Sequence, residues 1–419
     1  MAGMRYCGID VHTRTLVVHV LGARGRGAGE SRTFGTMRSD LYALRDWLCQ
    51  LGVSHVAMES TGVYWKPLYG ILEDKLTVVV ANAQHVKKVP GRKTDVSDAE
   101  WLARLVKNGL LRPSFVPAPA IRELRDAVRY RTARVQARST ERNRTVKLLE
   151  SAGIKLAAVA SNVFGTSGMR MLQALARGDV GPAEMAELAA GRLRRKRQAL
   201  VVALDVPLTA TQRTILRIQL DRLADNDRGI AQAEELIGGL LEPYAEQARL
   251  LATIPGVDRW VAAAIIAEVG ADMTLFGGPH HLAAWAGVVP GSNQSGGRSK
   301  TAPSRKGNRF LTAALVMAAN AASRTRGTYY RDKFHRLKAR RGYKRATIAI
   351  ARKLIVVAYH VLRDKTPYRE LGEHYLDQAD RHRTIRRLQR RLEELSGAKV
   401  TFSQPVPSSS APPAGAGPN

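Results

Sequence analysis

The chain has few of the residues that characterise secreted, disulfide-stabilised or membrane-spanning proteins. Its 419 residues include only two cysteines, Cys7 and Cys49, which excludes a disulfide framework or a cysteine-rich zinc site and fits a reducing cytoplasm. The longest apolar runs, Trp260–Val269 and Phe310–Ala322, are too short to span a bilayer, and no signal-peptide pattern is found. We therefore expect a soluble cytoplasmic protein with no membrane partner.

Acidic and aromatic residues are also scarce. The chain carries 36 Asp and Glu against 66 Lys and Arg, which gives a formal charge of +30, and only 6% of its residues are aromatic. So large a basic excess indicates a polyanionic partner, most commonly nucleic acid, in a chain with few side chains for base stacking. The length is sufficient for two or three domains, each with its own core.

The N-terminal third alternates between predicted strands and helices. Short β-branched or apolar runs alternate with segments of helical periodicity. This pattern predicts an α/β domain with a central sheet. The predicted strands are Tyr6–Asp10, Thr15–Leu21, Arg32–Thr36, His55–Glu59 and Leu76–Ala81, and the predicted helices are Ser39–Leu51, Gly62–Asp74 and Asp95–Asn108.

Four acids stand out in this third. Asp10 and Glu59 each end a predicted strand, and Asp95 and Asp98 lie three residues apart on one face of a predicted helix. Taken separately, each has a structural alternative: a turn residue, a helix N-cap, or an acidic first turn that complements the helix dipole. Taken together in so basic a chain, they favour metal-dependent phosphodiester chemistry, because hard divalent cations such as Mg²⁺ prefer carboxylate oxygens.

The middle of the chain is helical and basic. Few acids separate the arginines of Ile121–Leu149, which favours a phosphate-facing surface over a solvated charged face, with Arg125, Arg129, Arg134 and Arg138 as candidate contacts. From Leu216 to Leu241, apolar residues recur every three or four positions. This spacing predicts a helical hairpin or coiled coil that pairs subunits, with an intramolecular helical bundle as the alternative.

A second candidate site lies further along. Ile254–Val257 reads as a turn entering the helix Trp260–Val269, which is typical of a helix-hairpin-helix element but also of a core helix. The glycine- and serine-rich segment Pro290–Lys300 follows, and small residues let a backbone approach a ligand closely. Ser295 in this loop is a candidate nucleophile that needs activation, and composition alone favours a flexible surface loop. The cations that could hold a phosphate there are Arg298, Lys300, Arg305 and Lys306.

Five motifs, in this order, resemble those of the DEDD transposases of the insertion-sequence family one-ten, which are bridge-RNA-guided recombinases. Each motif is weak alone, but their order across residues 5–325 is specific. They are Gly8-Ile9-Asp10-Val11, Met58-Glu59-Ser60-Thr61-Gly62, Lys93-Thr94-Asp95-Val96-Ser97-Asp98-Ala99, Ile254-Pro255-Gly256-Val257, and Ala286-Gly287-Val288-Val289-Pro290 leading to Gln294-Ser295-Gly296.

The resemblance implies a RuvC-like (RNase H-like) domain, a coiled-coil arm and a mostly helical transposase domain. It assigns a metal-binding tetrad to Asp10, Glu59, Asp95 and Asp98, with Mg²⁺ or Mn²⁺ as the metal, and the nucleophile to Ser295. The serine would attack a DNA phosphate, leaving a covalent phosphoserine and a free 3′ hydroxyl, with metal supplied by the tetrad of a neighbouring subunit. The implied partners are donor and target DNA, a structured bridge RNA, and further copies of the chain in a dimer or tetramer.

One departure from the family pattern is that His12-Thr13-Arg14 stands where relatives often carry a lysine soon after the first aspartate. The expected domains are an α/β RuvC-like domain at 1–115, a basic helical arm at 116–250, the transposase domain at 251–365, a basic helical extension at 366–401, and a disordered tail at 402–419. In the extension, nucleic-acid contact and packing on the arm remain equally open.

Two other functions fit the same residues. One is a metal-dependent nuclease or junction resolvase, in which the four acids hydrolyse DNA and Ser295 is only a loop residue. The other is a non-catalytic nucleic-acid-binding protein with structural carboxylates.

Overall fold

The computed structural model describes residues 4–22, 29–60, 62–86, 97–291, 294–295, 298–299, 304 and 306–401. The chain forms two compact units, the first ending at Pro117 and the second beginning at Ala118. The finer division into five regions stays a prediction, and the expected tail at 402–419 lies outside the described residues.

The first unit is built on a five-stranded mixed sheet with strand order β3-β2-β1-β4-β5. Strands β1 to β3 are antiparallel neighbours, whereas β4 and β5 run parallel to β1. This arrangement is consistent with the expected RNase H-like domain. The strands are β1 (Arg5–Val11), β2 (Thr15–Val20), β3 (Glu30–Gly35), β4 (Val53–Glu59) and β5 (Thr77–Ala81).

Helices cover both faces of this sheet because residues alternate between the faces along each strand. Ile9 and Met58 pack with Leu44 and Leu48 of α1 on one face. Ala57 packs with Leu102 of α4 on the other face. The helices of this unit are α1 (Arg38–Gln50), α2 (Trp65–Leu72), α3 (Ala83–Val86) and α4 (Asp98–Lys107).

The strands and helices predicted for this third are confirmed, although two helices are shorter than predicted. Helix α2 was predicted over Gly62–Asp74 and spans Trp65–Leu72. Helix α4 was predicted from Asp95 but begins at Asp98, because Ser97 is its N-cap and its hydroxyl accepts a hydrogen bond from the Glu100 amide at 3.2 Å. The short helix α3 was not predicted.

Two long helices, α5 (Pro119–Ser151) and α10 (Ala210–Leu241), pack along one another in the second unit. They run antiparallel, since Arg131 pairs with Glu234 and Arg138, further along α5, pairs with Asp227, earlier in α10. The apolar positions of α10 are buried within the chain, which favours the intramolecular bundle over the predicted coiled coil between subunits. Four short helices close one end of the pair: α6 (Leu156–Val159), α7 (Thr166–Arg177), α8 (Pro182–Glu187) and α9 (Arg197–Leu204).

In the described part of the remainder of the second unit, the regular elements are helices and one small hairpin. The turn before α12 and the apolar helices α12 and α14 confirm the elements predicted there. Among the described residues, no helix is long and apolar enough to cross a membrane. The elements are α11 (Ala245–Leu251), α12 (Arg259–Val269), α13 (Pro279–Trp285), β6 (Gln294–Ser295), β7 (Arg298–Ser299), α14 (Arg309–Ala322), α15 (Tyr329–Arg341), α16 (Tyr343–Asp364), α17 (Tyr375–Ala379) and α18 (Arg381–Ser396).

Candidate active site

The first two acids of the predicted tetrad lie at the ends of neighbouring parallel strands. In the register of β1 and β4, Ile9 is paired with Met58, and both side chains are fully buried. Asp10 and Glu59 are the next residues on their strands, and both are partly exposed. The sheet therefore places these two residues next to each other at the carboxyl ends of neighbouring central strands, where ligands of such sheets gather.

The third acid is carried by the helix that covers the same face of the sheet. A side chain at Gly8 has no room, because its Cβ would lie 2.0 Å from the Ala99 carbonyl oxygen and 2.6 Å from the Ala103 amide nitrogen. Gly8 and Asp10 lie two residues apart and share this face. The close approach that glycine permits brings α4, with Asp98 at its start, onto the strand that carries Asp10.

A fitted metal centre is not assembled within the described residues. No group of three or more His, Cys, Asp or Glu side chains in these ranges is arranged to hold an ion. Asp95, the remaining member of the predicted tetrad, lies outside the described residues. The carboxylates of Asp10, Glu59 and Asp98 are nevertheless the oxygen donors that a hard divalent cation prefers.

His12 contacts the first of these carboxylates. Its Nε2 lies 3.1 Å from Oδ2 of Asp10, across the turn between β1 and β2. A cation bound at this oxygen would replace the imidazole contact. The imidazole of His12 would thus compete with a cation for Asp10.

The candidate nucleophile lies on a small hairpin in the second unit. Strands β6 and β7 are antiparallel, with Gln294 opposite Ser299 and Ser295 opposite Arg298. Lys300 and Arg305 lie outside the described residues, whereas Lys306 is described and exposed. The backbone of Ser295 thus has a defined place in a paired strand.

The two ends of the serine loop meet at its base. Pro290 and Ser304 form a bridge, and the Asn308 amide donates to the Trp285 carbonyl oxygen at 3.2 Å. A Cβ at Gly307 would lie 2.3 Å from the Gly287 amide nitrogen, so only glycine allows this approach. The loop therefore leaves and re-enters the helical core at one point.

A buried carboxylate lies beneath this base. Glu268 on α12 is 1% exposed and is held by Arg129, whose guanidinium donates to both of its oxygens at 2.7 and 2.8 Å. The side-chain Nδ2 of Asn308 donates to the same carboxylate at 2.5 Å. The side-chain Oδ1 of Asn308 caps α14 by accepting hydrogen bonds from the backbone amides of Phe310 and Leu311. Sequence reasoning missed this network, although a single acid in an apolar helix was a signal for it.

The arginines predicted to face phosphate instead make structural contacts. Arg125 donates to the carbonyl oxygens of Ala267 and Glu268 at the end of α12, and burial lowers its pKa. Arg134 approaches Asp225 at 3.4 Å and Arg138 contacts Asp227 at 2.8 Å. Nucleic-acid contact by these arginines stays a prediction.

The predicted phosphate site at the start of α12 meets an obstacle. The Asp258 carboxylate accepts from the Trp260 and Val261 amides at 3.0 and 2.8 Å. Because an acid already occupies these donors, a phosphate would have to displace it. The core-helix alternative is favoured here.

The comparisons with known proteins agree with the motifs. The DEDD transposase model matches residues 7–154, and the model described as "Transposase IS116/IS110/IS902 family" matches residues 248–336. A probable family 20 transposase of Pseudomonas aeruginosa is 28% identical over 333 residues, which cover 78% of this chain and 89% of the relative.

Shorter similarities point in the same direction. The Moraxella bovis pilin gene-inverting protein is 32% identical over 29% of this chain and 38% of its own length. An uncharacterised 43.6 kDa protein of insertion element IS110 in Streptomyces coelicolor is 38% identical over 32% of this chain and 33% of its own.

The family models and the relatives together identify the chain as a transposase, an enzyme that binds and recombines DNA. The chain belongs to the IS110 family of DEDD transposases. Membership in this family indicates dependence on a divalent metal.

Proposed function

We propose that the chain cuts and rejoins DNA through a covalent phosphoserine at Ser295. The serine oxygen attacks a DNA phosphorus, the bond from phosphorus to the 3′ oxygen breaks, and that oxygen leaves as a free 3′ hydroxyl after gaining a proton. The other DNA end stays attached to the serine until a new 3′ hydroxyl reverses the step. Supporting this assignment are the paired backbone of Ser295 and the tied base of its loop.

Asp10, Glu59, Asp95 and Asp98 would hold the divalent ion, with Mg²⁺ as the proposed metal and Mn²⁺ as a substitute. When bound, the ion supplies positive charge that offsets the charge developing on the phosphate. The chain's own contribution is to carry Asp10, Glu59 and Asp98 on β1, β4 and α4, elements that pack directly on one another.

The proposed partners are donor and target DNA, a structured bridge RNA that selects them by base pairing, and further copies of the chain in a dimer or tetramer. The formal charge of +30 supports nucleic-acid partners. The cytoplasm, with association with the nucleoid, is the proposed location. The observation that carries the whole proposal is that the two family matches contain the four acids and Ser295, respectively.

The test is a covalent-trapping assay. Purified protein, with its co-purifying RNA and Mg²⁺, is mixed with labelled DNA that spans the junction of the element, and the products are separated on a denaturing gel. We expect a protein-linked DNA band that is lost in Ser295→Ala and, separately, in Asp10→Ala. Ser299→Ala is the matched control, because it removes a neighbouring loop hydroxyl and should retain the band.

Other outcomes would redirect the proposal. Cleaved DNA with no adduct in the parent chain, unaffected by Ser295→Ala, would indicate the hydrolytic nuclease. Loss of the band in Ser299→Ala but not in Ser295→Ala would move the nucleophile. If the adduct still forms after ribonuclease has removed the co-purifying RNA, the proposed guidance by RNA is contradicted, but the phosphoserine step is not.

A further inference from the structure

A strongly basic cleft lies between α15 and α18, and the proposed chemistry does not use it. Its volume is about 890 Å³, and seven arginine or lysine side chains line it against a single acid, Asp380. The cations come from two helices that face the same space, so they form a concave surface rather than one charged helix face. Those that the argument uses are Lys333, Arg340, Arg383, Arg386, Arg387 and Arg390.

One acid holds the walls of this cleft together. Asp377 on α17 accepts from Arg336 of α15 at 2.6 Å and from the Thr384 hydroxyl of α18 at 3.2 Å. Arg336 also pairs with Asp332 at 2.8 Å, within its own helix. The nearby acids therefore fix the position of α18, neutralise Arg336 and approach Arg387 at 3.7 Å. They leave the remaining cations of the cleft largely uncompensated.

The uncompensated charge is concentrated. Within the described part of the chain, Arg340, Arg386 and Arg390 have no acidic side chain within ion-pair distance, and the Asp380 contact of Arg383 is long, at 4.0 Å. Burial lowers the pKa of Lys333, and the positive charges of Lys353, Arg340 and Arg336 lower it further. Such repulsion is relieved when a polyanion enters the cleft.

We propose that this cleft binds the phosphodiester backbone of a double-stranded nucleic acid. Guanidinium groups suit phosphate because they donate paired hydrogen bonds to its oxygens. No aromatic side chain is among the described residues that line the cleft, so it offers no platform for stacking single-stranded bases. Contacts of this kind position a duplex without reading its sequence.

This inference deepens the proposed function, since it rests on a recombinase that holds a duplex, and it adds a binding surface largely beyond the family match that ends at residue 336. DNA and RNA duplexes share the chemistry that the cleft recognises. Both are therefore used as probes.

The test compares two double variants of the full chain. In Arg386→Gln/Arg390→Gln the cleft loses two unpaired cations, and glutamine preserves the helix. The matched control is Arg192→Gln/Arg195→Gln, which removes two exposed arginines from the short helix Gly191–Lys196. Binding of a short DNA duplex and of an RNA duplex of the same sequence is followed by fluorescence anisotropy as salt is varied.

We expect the cleft variant to weaken binding and to reduce the slope of log affinity against log salt by about 2, roughly one for each lost phosphate contact. The control should keep the parent slope. The duplex with the larger change identifies the ligand. An unchanged slope with both duplexes, or an equal loss in the control, would overturn the proposal.

Measurements on the same variants distinguish a failure of the duplex-binding proposal from a failure of the phosphoserine proposal. Ser295→Ala should keep the parent salt slope while losing the covalent band. At saturating protein, the cleft variant should still form that band. If the cleft variant has the parent salt slope and Ser295→Ala lacks the covalent band, the duplex-binding proposal is wrong and the phosphoserine proposal stands.

Discussion

Helices α5 and α18 are both rich in arginine, but they differ in how closely acidic side chains pair with their guanidinium groups. On α5, Arg129 grips the buried Glu268, and Arg131 and Arg138 reach acids of α10. On α18, Arg387 approaches Asp377 only at 3.7 Å, and no residue of the helix is buried. Arginine on α5 therefore joins helices within the unit, whereas Arg386 and Arg390 of α18 line the cleft with no acidic side chain within ion-pair distance among the described residues.

This difference shows that arginine density alone does not identify a nucleic-acid surface. The charge that remains after internal pairing is a better guide, because only uncompensated cations gain much from a phosphate. Three experiments test this difference between the two helices, and they follow in order of decreasing expected effect.

Glu268→Ala should have the largest effect. Removing this carboxylate leaves Arg129 and Arg125, whose Nε lies 3.4 Å from a Glu268 carboxylate oxygen, without their shared partner. Breaking a buried ion pair costs about 3–5 kcal/mol. Urea unfolding of the full chain, followed by circular dichroism, measures the loss. Glu246→Ala is the control, because this acid pairs on the surface with Arg249 three residues away and should show no measurable change. Equal stability of the two variants would contradict the structural role of the α5 arginines.

Replacing single arginines should separate the two helices. Arg129→Gln removes a bidentate contact and the stacking of its guanidinium 4.3 Å from the Phe310 ring, and we expect a loss of about 2 kcal/mol in the free energy of unfolding. Arg390→Gln should change stability by less than about 0.5 kcal/mol, as expected for a surface position. The same unfolding measurement checks both, and a larger loss in Arg390→Gln would reverse the comparison.

The attachment of α18 should show a small dependence on pH. The hydrogen bond from Arg336 lowers the pKa of Asp377 below its usual 3.8. Since the folded pKa is the lower one, this contact contributes stability above about pH 4 and loses it as pH falls through the folded value. Amide-exchange protection of α18 should decrease accordingly. In Asp377→Asn that pH dependence should be absent, and its persistence would point to another acid.

Local patterns predicted the elements and the position of the acids well. A short apolar run ending in Asp10 predicted a strand, and apolar spacing placed α4, because both signals come from residues a few positions apart. The partner of Arg129 was not predictable in this way. It lies 139 residues further along the chain, and nothing in either segment specifies that the two helices meet.

The same reason explains why the packing partner of the apolar face of α10 was not predictable. Leu216, Leu220 and Leu223 show the spacing of a helix that packs on another, and this spacing is identical whether the partner belongs to the same chain or to a second copy. The partner became known only from the fold, which buries these leucines against α7 and neighbouring segments of the same unit.

The tied base of the serine loop has a thermodynamic consequence. Because Pro290 meets Ser304 and Gly307 abuts Gly287, the entropy cost of joining the ends of this segment is borne when the helical unit folds. In the proposed reaction at Ser295, a DNA phosphate would therefore meet a segment whose two ends are already joined. More of the free energy of association remains for holding the scissile strand in place.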